Sequence, residues 1–119
     1  MENNADVLAE SIMVDLYKAF KNYKPKPKQP KIDITCYPVP FKNSVNFTYE
    51  LYTNARVMLK ISNMFGVELA MFENCESQKG KHTITWNGKD KQGKTVQAGI
   101  YYYTFIVDNE IYGGIIMKQ

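Results

Sequence analysis

The stretch KPKPKQPK, residues 24–31, divides this chain into two parts that obey different hydrophobic periods. Pro25, Pro27 and Pro30 remove amide donors and push the residues before them towards extended geometry, so neither a helix nor a central strand runs through them. Ahead of the stretch, Leu8, Ile12, Leu16 and Phe20 recur every four residues with Ala5, Ala9 and Met13 beside them. That spacing predicts an amphipathic helix over Ala5–Tyr23, filling an N-terminal region 1–23, with one apolar stripe. Asp6 and Glu10 near its start and Lys18 and Lys21 near its end suit the helix dipole. The proline-lysine run itself reads as a semi-rigid, polyproline-like spacer.

Beyond residue 31 the period becomes two. Ile32, Ile34 and Cys36 alternate with polar residues, as do Val45, Phe47, Tyr49 and Leu51, then Val57, Leu59 and Ile61, then Val67, Leu69 and Met71. Ile84 and Trp86 mark a fifth strand, Ile100 to Val107 a sixth and Ile111 to Met117 a seventh. Turn chemistry separates them: NMFG at 63–66, where Gly66 supplies a positive φ, and Asp108-Asn109. About seven short strands so punctuated predict an all-β, immunoglobulin-like antiparallel sandwich over 32–119. Within TWNGKDKQGKTVQAGIYYY, residues 85–103, Trp86 is large enough to fill the space between two sheets, and Asn87-Gly88 and Gln92-Gly93 make left-handed turns cheap. Alternation then sends Tyr101, Tyr103 and Phe105 into the core with Trp86, and Tyr102 and Ile106 to the other face.

At 119 residues the chain has room for one sandwich and not for two domains. The net charge of +3 is local, because Lys18, Lys21, Lys24, Lys26, Lys28 and Lys31 crowd one stretch. With no interleaved arginine there, nucleic acid is not an expected partner. The N-terminus has no basic start and no continuous apolar core of a signal peptide, and no window reaches the roughly 18 apolar residues of a membrane span. Synthesis in a cytoplasm and no membrane partner are the expectations. Cys36 and Cys75 fit no zinc spacing and stay open between two buried thiols and a cross-sheet pair. His82, the sole histidine, lies on the side of Ile84 and Trp86 and reads as a half-buried, hydrogen-bonded rim residue, and no Ser-His-Asp or Cys-His arrangement can be built without it. Asn87 and Asp90 read as turn formers and not as cation ligands, and no phosphate-cradling loop is present. Catalytic residues, cofactors and metals are therefore not expected.

The order YPVPF (37–41), VNFTYEL (45–51), VMLKISNMFGVEL (57–69), GKHTITWNGKDKQGKTVQAGIYYYTF (80–105) and GGIIMKQ (113–119) resembles the immunoglobulin-like module of flagellar hook-capping proteins, and equally the C-terminal sorting domains of the type IX secretion system. Both share a YPNPF-like start, a G-x-x-V/E-L turn, a W-D-G-x-D-x-x-G turn and a G-x-Y-x-Y strand. The resemblance implies a structural module and no chemistry of its own. A marginal 19-residue helix must be covered by something, and the stripe Leu8, Ile12, Leu16 and Phe20 is the expected partner-binding surface. The functional expectation is a non-catalytic assembly module that docks through its helix on other protein subunits, or on copies of itself, within a virion or cell-surface apparatus. A type IX sorting domain read through the final strand is the alternative.

Overall fold

The computed structural model of the chain describes residues 4–22 and 29–119, with side chains for 13–22 and for 29–119 other than Cys75. Residues 24–28 of the expected spacer, the Leu8 and Ile12 side chains and the pairing of Cys75 lie outside the described residues. Helix α1 (Asn4–Asn22) stops just ahead of the proline run, as the loss of amide donors requires. Seven strands follow: β1 (Thr35–Tyr37), β2 (Val45–Leu51), β3 (Ala55–Ser62), β4 (Glu68–Ser77), β5 (Gly80–Trp86), β6 (Gly99–Val107) and β7 (Glu110–Lys118). They form two antiparallel sheets, ordered β1-β2-β5 and β4-β3-β6-β7. The fourth strand thus joins the third, whereas in constant-type immunoglobulin domains it joins the opposite sheet.

The core lies between the sheets and is closed by alternation. Val45, Phe47, Tyr49 and Leu51 of β2 face Val57, Leu59 and Ile61 of β3 and Tyr101, Phe105 and Val107 of β6, all buried. Trp86, 1% exposed, sits at one end between the rings of Phe41 (5.6 Å) and Tyr101 (5.7 Å, edge-on), and its indole N–H donates to the Lys89 carbonyl at 3.0 Å. Tyr101 in turn donates its hydroxyl to the Gln97 carbonyl at 2.5 Å, four residues upstream, which is the bonding of a tyrosine corner at the start of this strand. Deeper along β6, the Tyr103 ring packs edge-on against Phe47 at 5.3 Å. It also lies over Gly114 of β7, where an added Cβ would collide with the ring, so the strand has glycine there for close approach.

Two expectations are corrected. Ile32 and Ile34 do not belong to a strand, since β1 spans only Thr35–Tyr37; Ile32 is nonetheless buried, with its N–H donating to the Tyr112 hydroxyl at 3.3 Å. Of the residues expected inward on the fourth strand, Leu69 packs against the core, but Val67, just ahead of β4, and Met71 are exposed, and Ala70 and Phe72 turn inward instead. A register shift places Ile61 opposite Ala70 but Ser62 opposite Glu68. One extra residue in that strand reverses which side chains turn inward, because the side-chain period is two.

Cys36 is a free, half-buried thiol within reach of the Tyr103 hydroxyl. Burial raises the pKa of the Cys36 thiol, with the Tyr103 hydrogen bond a smaller, opposing effect. Burial, reinforced by Cys36, pushes Tyr103 up to about 12. Burial likewise raises Tyr49 and Tyr101.

Two outcomes follow. Each of these acids has a folded-state pKa above its unfolded value, so its protonated form contributes stability that is complete below the unfolded value and disappears as pH rises through the folded one. Thermal unfolding is therefore expected to be insensitive to these groups at neutral pH and to drop progressively above about pH 9, towards 12; a Tm constant from pH 8 to 11 would contradict it. Tyr101→Phe, which leaves the ring but removes the corner bond, is expected to lower stability in urea by about 1–2 kcal/mol.

Candidate functional site

The reversal between β5 and β6 is the most highly bonded turn of the sandwich. Gly88 adopts φ 71°, and a Cβ there would press on the Asn43 carbonyl at 3.3 Å and the Phe41 ring at 3.4 Å, so glycine is required for both conformation and space. Asn87 Oδ1 accepts from the Lys89 N–H at 3.1 Å. Asp90 Oδ1 accepts from both the Gln92 and Lys94 N–H groups at 2.9 Å, while Gly93 N–H donates to the Asp90 carbonyl at 3.0 Å. These are the bonds of a side chain shaping its own turn. An exposed ion pair from Lys91 to Glu68 ties the turn to the start of β4 and, by its hydrogen bond, holds the Glu68 carboxyl below its ordinary range. Among the described residues no group of His, Cys, Asp and Glu is placed to hold a metal ion.

His82 points inward on β5, stacked on the Tyr49 ring at 5.5 Å, with its Nε2 2.6 Å from the Gln78 carbonyl. Ring and bond are both spent on the sandwich rim. Trp86, Tyr101 and Phe105 lie buried between the sheets and Tyr103 half-buried beside them; together they make a core and not a cleft. A shallow groove over the outer face of the three-stranded sheet is polar, with Thr48, Glu50, Lys81 and Thr83 along it.

The helix is different. Leu16 is 61% and Phe20 80% exposed, and Met13 and Tyr17 are exposed with them. Residues 13, 16, 17 and 20 follow the i, i+3, i+4, i+7 spacing of one helical face. The described part of the stripe is therefore wider than a four-residue repeat suggests, since Tyr17 belongs to it, and its spacing from Met13 was the available signal. Among the described residues no helix is long and apolar enough to cross a membrane.

Comparison with known proteins agrees with this architecture. The family model for the FlgD Ig-like domain matches residues 40–110. Dimeric latent PorU from Porphyromonas gingivalis superposes with TM-score 0.63 at 15% identity, over 81% of this chain and 10% of PorU. PorZ of the same organism, described as an essential bacterial surface component of the type-IX secretion system, gives 0.54 at 18% identity, over 72% of this chain and 11% of PorZ. FlgD from Xanthomonas campestris, described through the hook capping essential for flagellar assembly, gives 0.50 at 17% identity, over 75% of this chain and 62% of FlgD. The chain thus spans about a tenth of PorU and PorZ and under two thirds of FlgD. No curated protein matches it by sequence.

The matched span includes the Asp90 turn, whose bonding separates a turn former from a cation ligand. Asp90→Ala is expected to cost about 1–2 kcal/mol in chemical denaturation, with Asp90→Asn, which retains the oxygen acceptor, costing less than about half of that. Millimolar calcium is expected to leave the midpoint of all three proteins unchanged; a calcium-dependent rise confined to wild type would assign Asp90 to a metal.

Proposed function

This chain belongs to the FlgD Ig-like domain family, and from that premise we propose that it is a non-catalytic assembly module which docks on a larger complex through α1 and presents the sandwich as its other face. The observation that carries the reading is that the described side chains of α1, residues 13–22, are all exposed, Leu16 and Phe20 among them, while the core of the sandwich is closed without them. A 19-residue helix is marginal alone in water, so an apolar side of this kind gains its stability by being covered. Covering it on another subunit couples folding of the helix to incorporation, and the proline-lysine spacer sets how far the sandwich stands from the anchor. We place the module in a virion or a cell-surface apparatus, made in the cytoplasm and recruited by protein contacts, with neither nucleic acid nor lipid as its partner. The runner-up, a sorting module for type IX secretion, is favoured by the exposed Ile111, Ile115 and Met117 on the last strand.

Removal of residues 1–28 tests the reading, since Gln29 and Ile32 must remain: Gln29 Oε1 accepts from the Tyr52 N–H at 3.0 Å and Ile32 is core. The truncated chain is expected to keep its Trp86 fluorescence and cooperative unfolding and to vanish from the sedimented assembly fraction of its host. Unchanged incorporation would end the docking role of α1. If Ile111→Lys with Ile115→Lys, both at exposed positions of the last strand, instead blocks export of a fused cargo while circular dichroism shows the fold intact, the runner-up holds.

A further inference from the structure

A sheet edge leaves a row of backbone donors and acceptors unpaired, and folded proteins blunt such edges to keep other chains off them. The edges of the two sheets are β1, β5, β4 and β7. Three of these are blunted. β1 is only three residues long, β4 pairs with register shifts at both ends and carries Glu68, Glu73 and Glu76, and β5 carries Lys81 and His82 with Lys79 just ahead of it. β7 is the exception. Its pairing with β6 runs without a shift from Glu110 to Lys118, and between those two residues it holds no charge and no proline.

The β6–β7 hairpin fixes which groups of β7 face outward. Val107 and Glu110 flank the two-residue turn Asp108-Asn109, so they exchange both of their backbone bonds, and bonded pairs then recur at every second residue: Tyr112 with Phe105, Gly114 with Tyr103 and Ile116 with Tyr101. Ile111, Gly113, Ile115 and Met117 therefore direct their N–H and C=O groups to the open side. The end of the strand agrees, because the Met117 carbonyl and the Gln119 N–H are the groups that Phe41 bonds across that side. Phe41 thereby closes the edge at Met117. Among the described residues nothing bonds the outward backbone groups of Ile111, Gly113 or Ile115.

The open stretch has the outward pattern Ile111-x-Gly113-x-Ile115, which reads the same in either direction. A contact between identical surfaces requires a surface complementary to itself, and this one is. Laid antiparallel about Gly113, each Ile111 meets the other chain's Ile115 and the two Gly113 residues meet each other, with both backbone bonds available at every pair. No like charges oppose one another. The second strand then starts at Glu110, opposite Ile116, one residue short of the place that Phe41 fills. Ile111 and Ile115, 70% and 60% exposed, gain apolar cross-strand neighbours on the outer face. We propose that β7 pairs edge to edge with β7 of a second copy of this chain across a two-fold axis at Gly113, joining the two four-stranded sheets into one. This pairing leaves α1 free for the docking role proposed above.

Light scattering during gel filtration of the full chain, over a concentration series, tests the pairing. Wild type is expected to approach twice the 13.8 kDa of a single chain. Ile115→Pro removes a donor that points to the open side and none that bonds β6, so it is expected to keep the circular dichroism of wild type while weakening association more than about tenfold. Ile115→Lys leaves the backbone intact, guards the edge with a charge and is expected to have the same effect. Gly113→Cys sets two thiols across the axis at the Cα separation of about 5.5 Å of a bonded antiparallel pair, within the range a disulfide spans. The site accepts a side chain, since an added Cβ meets only the Tyr103 carbonyl at an ordinary 3.7 Å. Mild oxidation is expected to link the Gly113→Cys protein into a covalent dimer and to leave Thr83→Cys, on the polar sheet and with the same native cysteines, unlinked. A monomeric wild type, an Ile115→Lys dimer as tight as wild type, or a Gly113→Cys protein that links no better than Thr83→Cys would each overturn the edge pairing. None of these results bears on α1, whose docking is judged separately by incorporation without residues 1–28.

Discussion

Closing an end of a two-sheet sandwich around one indole is the constraint on which this structure rests. Trp86 needs apolar cover on its faces and a carbonyl for its N–H, and each requirement recruits a different segment. Phe41, held by backbone bonds from its N–H to the Met117 carbonyl (2.9 Å) and from the Gln119 N–H to its own carbonyl (2.8 Å), brings the YPVPF segment against the end of β7. Tyr101 brings the start of β6, itself tied back to Gln97. Lys89 supplies the carbonyl only because Gly88 takes a left-handed conformation under the Phe41 ring. The glycine turn and the aromatic strand are thus parts of a single packing solution, in which a buried polar atom is satisfied by the turn that follows it.

Three side chains that could carry chemistry are engaged elsewhere in the sandwich. The sole histidine is stacked and bonded at the rim, the one described thiol is half-buried beside Tyr103, and the Asp90 carboxylate is occupied by two amides. What remains free is surface. The polar outer face of β2 and β5, the apolar outer face of β6 and β7 and the helix stripe are three distinct presentations.

Much of this was legible from local pattern. Alternation along β2, β3, β5 and β6 assigned Phe47, Leu59, Trp86, Tyr101 and Phe105 to the core, because a strand buried on one face must repeat every two residues whatever its partner. Met71 was misassigned because alternation says nothing of a bulge, which depends on the register against Ile61 and Ser62. Ile32 was placed on a strand because a buried alternating residue looks the same with or without ladder bonds.

The linear chain alone settled the strand count, the helix and its limit at the prolines, the inward tryptophan and the turn residues, since these follow from side-chain volume, allowed φ and short-range period. Only the folded molecule decided that the fourth strand joins the third, that Gly114 lies under Tyr103 and that Ile32 and Gln29 are tied to Tyr112 and to the backbone of Tyr52. Those outcomes are contacts between residues far apart in the chain, selected by which surfaces fit, and no local period encodes them.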